Sequence, residues 1–301
     1  MESDSTAGVP VGAATPYSLV GTKVFDKKIL IITPWYKSAH PITSSAVSNL
    51  LDKSRCKLML NFGDAFVIHS RNKCVEQFLK SNMDWALWID DDMVVPWGNA
   101  AWFRAYTGWG TFPDPFAGFS AIDRLLAANK TVVGATYWGR HPGAGPVYNE
   151  GSANPTEREY CWKGPYDIVK PTAWVGTGCI LTHRSVFEDI EKKFPLLGRG
   201  PDGKGGNWFS PSEHTLLNHV KLLRDALTNG PMTAEKSLKA LTMVEGALSD
   251  AKANSGLSTG EDVTFCRRAS QCGHQPHVDL GLWCGHIGHL VYPGGRWTKK
   301  S

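Results

Sequence analysis

The stretch MDWALWIDDDMVVPWG, residues 83–98, sets three aspartates directly behind a run of bulky apolar side chains. A short apolar run rich in aromatic and branched residues is typical of a strand buried on both faces, and the proline and glycine that follow end it. Asp90, Asp91 and Asp92 therefore stand at the carboxyl end of a strand, where they cannot belong to the core. Three adjacent carboxylates repel one another unless a cation shares their site, and a metal ion is the simplest such cation.

The segments around this strand alternate between strand patterns and helix patterns. KILIITPWYK (28–37) and KLMLNFGDAF (57–66) predict strands, whereas SRNKCVEQFLKSNM (70–83) carries apolar residues at helical spacing. AIDRLLAANKTVVGATYW (121–138) predicts a helix that ends at Asn129 and then a strand. This rhythm predicts an α/β fold with a mixed, mostly parallel central sheet that is flanked by helices. In such sheets ligands bind beyond the carboxyl ends of the strands.

The composition is that of an ordinary soluble globular protein. The chain has 301 residues, a hydrophobic fraction of 42% and a formal net charge of +4, which suffices for a core in one large domain or two small ones. Basic residues are spread along the chain and cluster only into short pairs, which permits binding to an acidic polymer without indicating it. Seven cysteines without regular framework spacing predict free thiols and a cytoplasmic location.

Two parts of the chain depart from the alternating pattern. Residues 1–22 carry acidic residues and no signal-peptide pattern, which predicts a disordered tail. Over 212–254, leucines and valines recur at helical spacing on both sides of an Asn-Gly-Pro breaker, which predicts an inserted helical hairpin. No segment reaches 18 uninterrupted apolar residues, so we expect no membrane insertion.

The order of these segments resembles the GT-A fold glycosyltransferases, near the family 2 type that uses nucleotide-sugar donors. The resemblance runs from about Lys28 to Tyr292 and rests on four pieces of sequence: SRNKCVEQFL, WIDDDM with its Asp-any-Asp motif, VGTGCILTHRSVF, and GEDVTFCRRASQCG leading to HVDLGLWCGHIGH. A single Asp-any-Asp motif is a weak pattern, whereas four pieces in the family order are much stronger. The resemblance implies that residues 23–301 form one GT-A-like, Rossmann-like catalytic domain, interrupted by the insertion.

The activity implied by this resemblance is transfer of a sugar, with inversion, from a nucleoside-diphosphate donor to a hydroxyl acceptor. A UDP-sugar is the expected donor. The acceptor hydroxyl could belong to a polysaccharide, a protein or a modified nucleic acid. Because a nucleoside diphosphate leaves poorly unless its developing charge is neutralised, we expect a hard divalent ion, Mn²⁺ or Mg²⁺, held by one or two carboxylates.

The family pattern assigns roles to the acidic triplet and to a late histidine. It pairs Asp90 with Asp92, whose side chains point the same way if the chain is extended there. Asp92 is expected to bind the metal ion. Asp90 is expected to hold either the ribose or the metal ion and its bound water. Asp91 is expected to face away from this pair, toward the sugar. In CGHIGH, His286 matches the histidine that completes the metal shell in similar enzymes, and His289 is the alternative.

GEDVTFCRR (260–268) places Glu261 and Asp262 at the start of a helix. From its position in the sequence alone, Asp262 is predicted to be the N-cap of this helix. The resemblance makes Asp262 the candidate general base that takes a proton from the acceptor hydroxyl, and Glu261 the residue that orients the acceptor.

Further binding residues follow from topology and from the resemblance. The end of the first strand is where the nucleotide base and ribose are expected, at Thr33, Pro34, Trp35 and Tyr36. Arg71 and Asn72 correspond to residues that help to hold the nucleotide, although Arg71 could equally form a surface salt bridge. The resemblance places the acceptor-side wall at Trp174, Gly176, Thr177 and Gly178. The two glycines of this segment are expected to permit close approach of the sugar.

Two other functions remain open at the level of sequence. Between residues 266 and 289 the chain contains seven potential zinc ligands: Cys266, Cys272, His274, His277, Cys284, His286 and His289. They raise the hypothesis of a zinc-stabilised binding protein, for example one that binds nucleic acid, but no Cys-x2-Cys or His-x3-His pair occurs among them. A further hypothesis keeps the nucleotide site but transfers a nucleotidyl group.

Overall fold

A computed structural model of the chain describes the following residues, and every structural statement refers to them: 15–16, 26–35, 40–51, 55–62, 67–97, 120–139, 145–150, 168–194, 208–210, 220, 224, 233, 235, 237–238, 241–242, 244–245, 260–287 and 291–292. Outside the insertion, the helices are α1 (Pro41–Leu50), α2 (Val67–Lys80), α3 (Ala121–Ala127), α4 (Arg184–Lys193) and α5 (Glu261–Gln271). The strands are β1 (Thr15–Pro16), β2 (Ile29–Trp35), β3 (Cys56–Phe62), β4 (Trp85–Ile89), β5 (Met93–Val94), β6 (Val132–Thr136), β7 (Tyr148–Asn149), β8 (Ile168–Pro171), β9 (Trp174–Val175), β10 (Cys179–His183), β11 (His277–Trp283), β12 (Gly285–Ile287) and β13 (Val291–Tyr292).

Eight of these strands form one mixed sheet, in the order β1-β8-β11-β6-β10-β4-β2-β3. Strand β2 is parallel to its neighbours β3 and β4, and β6 is parallel to β11. Strand β10 lies antiparallel between β4 and β6, and β8 lies antiparallel between β11 and β1. Within this sheet only β8 and β10 therefore run against the other strands, which confirms the predicted α/β fold with a mixed, mostly parallel sheet.

Helices cover both faces of the sheet. Leu87 and Ile89 of β4 enter a core that α1 and α3 complete, whereas Ala86 and Trp88 enter a second core with α2, α4 and α5. All four of these residues are 0% exposed. The continuous apolar run before the aspartates is thus a strand buried on both faces, as its composition predicted.

Asn129 ends the helix before β6, as predicted. Its φ of 51° lies in the left-handed region, which asparagine adopts more readily than most residues and which commonly follows a helix. At the other end of α3, Ser120 caps the helix by accepting a hydrogen bond from the Asp123 N–H. Both ends of α3 are therefore set by local chemistry that the sequence displays.

Helix α1, PITSSAVSNL, was not predicted. Its serines and threonine favour caps and turns over helix interiors, so the local pattern does not indicate a helix. The proline takes the first helical position, where its missing N–H costs nothing, and the His40 side chain accepts a hydrogen bond from the Ile42 N–H. Val47 and Leu50 are buried against the sheet. Tertiary packing of one face therefore stabilises a helix of poor intrinsic propensity.

A bulge in β11 brings the chain from the large sheet to β12. The register of β11 against β6 shifts between Asp279 and Trp283. The buried Asp279 carboxylate fixes this bulge, because it accepts hydrogen bonds from the Gly281 and Leu282 N–H groups and a bidentate pair from Arg124 at 2.7 and 2.9 Å. This is a buried ion pair with its lone pairs satisfied, the arrangement in which a buried charge is tolerated.

The remaining sequence predictions are tested only in part. Thr15 and Pro16, inside the predicted disordered tail, form β1 and pair with β8, so the prediction of disorder is wrong at these two residues; the rest of 1–22 lies outside the described residues. Within the insertion every described position except Thr233 is helical. All described cysteines are free thiols. Among the described helices, none combines the length and hydropathy that a membrane crossing requires.

Candidate functional site

The three aspartates form a turn at the carboxyl end of β4. The Met93 N–H donates to the Asp90 carbonyl at 3.2 Å, which closes the turn and starts β5. Because the chain turns here, the expectation that Asp90 and Asp92 point the same way on an extended chain is wrong. Asp90 contacts Arg71, whereas Asp92 faces His286. The backbone of Asp91 meets α1, since its carbonyl accepts a hydrogen bond from the His40 N–H at 3.0 Å.

Arg71 joins the aspartate turn to the start of α5. Its side chain is 1% exposed and donates from Nη2 to both Asp90 carboxylate oxygens, at 2.7 and 3.0 Å, and from Nη1 to Glu261 Oε1 at 2.5 Å. Burial lowers the pKa of Arg71, but the charges of Asp90 and Glu261 more than offset this and hold the pKa above its ordinary value. The hypothesis of a surface salt bridge is therefore wrong, because this is a buried cation between two carboxylates.

His286 reaches the aspartate turn because β12 pairs with β5. The register places His286 opposite Met93, and the Ile287 N–H donates to the Asp92 carbonyl at 2.7 Å. His286 Nε2 then lies 3.4 Å from Asp92 Oδ2, and its Nδ1 lies 2.9 Å from the Trp138 carbonyl oxygen. Since a carbonyl can only accept, Nδ1 carries a proton, and a neutral imidazole presents its lone pair at Nε2 to the carboxylate. A cation between the two groups, either a proton or a metal ion, removes this conflict.

The geometry of the Asp92–His286 pair is compatible with two ligands of one divalent metal ion. Two ligand atoms that each lie about 2.1 Å from one Mg²⁺ are at most about 4.2 Å apart, so the 3.4 Å separation is compatible with a shared ion. The Nδ1–H bond to a backbone carbonyl is the usual outer contact of a metal-binding histidine. Asp90, by contrast, directs both carboxylate oxygens at Arg71. In the part of the chain that is described, no group of three or more His, Cys, Asp or Glu side chains is arranged to hold a metal ion.

Asp262 is the second residue of α5 and not its N-cap. Gly260 occupies the cap position, and Asp262 Oδ1 accepts a hydrogen bond from the Val263 N–H at 2.8 Å. The residue keeps some exposed surface, yet its carboxylate is largely withdrawn from water. This desolvation, followed by the charge of Glu261, raises the pKa of Asp262 to about 6. Such a carboxylate is ionised at neutral pH and is still basic enough to accept a proton.

Tyr137 is a residue of this site that the sequence did not single out. It is 4% exposed, its Oη accepts a hydrogen bond from the Gly178 N–H at 2.9 Å, and its ring makes an edge contact with the His286 imidazole at 5.6 Å between centroids. Burial, followed by the charges of Asp90 and Asp262, raises the pKa of Tyr137, so the phenol is neutral at physiological pH. Its place directly after β6, a parallel strand, was the available signal, because parallel strands end at the same edge of the sheet.

The glycines predicted to admit a sugar make room for Tyr137 instead. A Cβ atom on Gly176 would lie 2.1 Å from Tyr137 Oη and 2.6 Å from Val147 Cγ1, and one on Gly178 would lie 2.9 Å from Tyr137 Oη. Trp174 and Thr177 of the same segment are each 3% exposed. The close approach that these glycines permit is therefore between the chain and one of its own side chains.

Gly176→Ala is expected to lower the free energy of unfolding by about 1–3 kcal/mol, the usual cost of overpacking a buried position. The cost should be smaller in a Tyr137→Phe background, because the atom closest to the new Cβ is then absent. Urea unfolding of the two single variants and the double variant gives the coupling between them. Additive losses would show that the Tyr137 hydroxyl does not occupy this space.

Among the described residues that were predicted to bind the nucleotide, Thr33, Pro34 and Trp35 end β2, and Arg71 and Asn72 lie in α2. Thr33 and Pro34 are buried and Trp35 is half-buried, while Tyr36 lies outside the described residues. The Asn72 side chain donates to Ser210 Oγ and accepts from the Phe209 N–H, both at 3.1 Å, and so fixes the segment 208–210 against α2. Contact of these residues with a nucleotide stays a prediction.

The six potential zinc ligands that the structure describes do not converge on one site. The Cys266 thiol contacts the Val175 carbonyl, His277 contacts the Gln275 carbonyl, and His286 faces Asp92. His274 lies between Thr131 and Asp189 at a separate position. His289 lies outside the described residues.

No protein-family model matches the sequence, and no curated protein matches it. Among solved structures, the chain is similar to A197 from STIV, with 14% sequence identity and a TM-score of 0.41 over 87% of this chain and 86% of that chain. A likeness this weak carries no argument about fold or function.

Proposed function

We propose that the chain is a metal-dependent glycosyltransferase of the GT-A type that transfers a sugar, with inversion, from a nucleoside-diphosphate donor to a hydroxyl acceptor. One observation carries the proposal. The Asp92–His286 pair and the Asp262 carboxylate come from distant parts of the sequence, and the Arg71 bridge links the elements that carry Asp92 and Asp262. The proposed reaction needs an Asp–His pair for a cation and a separate carboxylate that can accept a proton, and here Arg71 links the element of Asp92 to that of Asp262, whose pKa is about 6.

The residues have separate roles in the proposed reaction. Asp92 and His286 would hold a divalent ion, Mn²⁺ or Mg²⁺, whose charge stabilises the departing nucleoside diphosphate. Two protein ligands suffice for such an ion, because diphosphate oxygens and water commonly complete its shell. Asp262 would take the proton from the acceptor hydroxyl as that oxygen attacks the sugar. Arg71 would hold Glu261, and with it the first turn of α5, at a fixed place beside the aspartate turn.

A screen of nucleotide-sugars tests the proposal. The protein is incubated with UDP-sugars and GDP-sugars and with Mn²⁺ or Mg²⁺, without an acceptor, and release of nucleoside diphosphate is measured. We expect slow, metal-dependent hydrolysis of one donor, with a UDP-sugar as the first candidate. Release of pyrophosphate from nucleoside triphosphates would indicate nucleotidyl transfer, and absence of any release would favour a binding protein. Polysaccharide, protein and modified nucleic-acid acceptors are then tested with the best donor.

Asp92→Asn is expected to weaken Mn²⁺ binding by about 100-fold or more. Removing a group that only supports a metal ligand already weakens binding by about 10- to 100-fold, and Asp92 is proposed to be a ligand itself. The substitution removes the anion that faces His286 Nε2 while keeping the size of the side chain. Isothermal titration calorimetry with Mn²⁺ alone measures the effect. Asp84→Asn is the matched control, because Asp84 is an exposed aspartate just before the opposite end of β4. Equal Mn²⁺ affinity in Asp92→Asn and the parent protein would place the metal elsewhere.

A further inference from the structure

Tyr137 connects with the aspartate turn through Gly178 and with His286 through its ring. Through its hydroxyl it binds the Gly178 N–H at 2.9 Å, and the Gly178 carbonyl accepts the Asp90 N–H at 3.1 Å. Two hydrogen bonds in series therefore connect the phenol to the first residue of the aspartate turn. Gly178 is buried, so its N–H has no access to water if the phenol oxygen is removed.

The end of β6 also fixes the imidazole on two sides. The Tyr137 ring contacts the His286 ring at an interplanar angle of 89°, and the carbonyl of the next residue, Trp138, accepts the proton on His286 Nδ1. One contact limits the tilt of the imidazole, and the other selects the tautomer that leaves Nε2 facing Asp92. Consecutive residues of one strand end therefore orient the histidine.

We propose that Tyr137 is a positioning residue that holds the aspartate turn and the His286 imidazole in the mutual arrangement that binds a divalent cation. The inference rests on the proposed function for the binding of a divalent cation. The positioning itself follows from the contacts of Tyr137 with Gly178 and His286. The simpler alternative is that the ring merely fills space beneath the 176–178 segment, and a phenylalanine would then serve equally well.

Tyr137→Phe separates these two roles, because it keeps the ring and removes the oxygen that accepts the Gly178 N–H. Tyr148→Phe is the matched control, since Tyr148 is a tyrosine of similar burial that packs in the other core. In two-dimensional nuclear magnetic resonance spectra of the metal-free protein, Tyr137→Phe should shift the Gly178 amide, the Asp90 amide and the His286 imidazole signals. Tyr148→Phe should leave all three in place. Unshifted Asp90 and His286 signals in Tyr137→Phe would overturn the proposal, whether or not the protein binds metal.

Titration with Mn²⁺ provides the second test. Tyr137→Phe should bind Mn²⁺ about 10-fold more weakly than the parent, the lower end of the loss caused by removing groups that orient metal ligands. Urea unfolding confirms that both proteins are folded at the titration conditions, so that a general loss of stability cannot produce the change. Parent-like affinity in Tyr137→Phe overturns the positioning role. If the parent itself binds no Mn²⁺, the proposed function fails, and the spectra of the metal-free protein still decide the role of Tyr137.

Discussion

Asp262→Asn is expected to lower the rate of sugar transfer by about 10²- to 10⁴-fold while donor and metal binding stay close to those of the parent protein. A hydroxyl acceptor is barely ionised at neutral pH, so its attack on the sugar requires a group that takes the proton. Asparagine has almost the same shape as aspartate but cannot act as this base. Single-turnover transfer measures the chemical step, and Mn²⁺ titration and donor titration measure the binding steps.

The pH dependence follows from the direction of the pKa shift. Asp262 must be ionised to act as a base, so the rate should fall as the pH drops through about 6, and this limb should be absent in Asp262→Asn. Because the charge of Glu261 raises the pKa of Asp262, Glu261→Gln should move the limb to lower pH. A limb that stays in place in both variants would assign the titration to another group.

The same shift predicts the effect of this substitution on stability. The folded-state pKa of Asp262 lies above its unfolded value, so the ionised group destabilises the folded protein at neutral pH and does so less as the pH falls through 6. Asp262→Asn removes this destabilisation. The variant should therefore unfold at a urea concentration equal to or higher than that of the parent at pH 7, and this result would exclude unfolding as the cause of a lost activity.

The stereochemistry of the product tests the same assignment independently. A single displacement with Asp262 as base inverts the anomeric centre, and nuclear magnetic resonance of the freshly formed glycoside reads this from the anomeric coupling. Retained configuration, or near-normal turnover in Asp262→Asn, would leave Asp262 as a residue of the helix start only.

The sequence predicts the parts of this site that depend on local pattern. A doubly buried strand was evident from WALWI, and the strand-helix rhythm placed Asp90 to Asp92 at the edge where ligands bind. Which groups meet across that edge was not predictable, because periodicity does not specify contacts between distant segments. Arg71 and Glu261 are 190 residues apart. The turn at the triplet, which separates Asp90 from Asp92, likewise depends on the pairing of β5 with β12.

Arg71→Met is expected to lower the free energy of unfolding by about 3–5 kcal/mol, the usual loss when one partner of a buried ionic group is removed. Methionine keeps much of the volume of the arginine stem but leaves Asp90 and Glu261 close together without a cation. Arg55→Met is the matched control, since Arg55 pairs with the Asp123 carboxylate and its side chain is 9% exposed, compared with 1% for Arg71. The decrease in the free energy of unfolding should be smaller in Arg55→Met than in Arg71→Met. Urea unfolding at neutral pH measures both variants.

A variant in which all three residues of the bridge are uncharged should separate the electrostatic contribution of Arg71 to stability from the contribution of its packing. In the triple variant Arg71→Met, Asp90→Asn, Glu261→Gln the three charges of the bridge are all removed, so most of the lost stability should return. If the triple variant is as unstable as Arg71→Met, lost packing of the arginine stem explains the result, and the bridge contributes little through its charge.

Arg71 also links stability to the proposed chemistry, because its charge lowers the pKa of Asp262 while Glu261 raises it. In Arg71→Met, with Glu261 intact, the pH at which the transfer rate falls should therefore rise above that of the parent, whereas in Glu261→Gln it should drop. Arg71 and Glu261 bind each other, yet their substitutions should shift this pH in opposite directions. If each substitution acted only by destabilising α5, the two shifts would have the same direction. Shifts of the same sign, measured as the apparent pKa of kcat/KM in the two variants, would show that the bridge acts on the fold and not on the charge at Asp262.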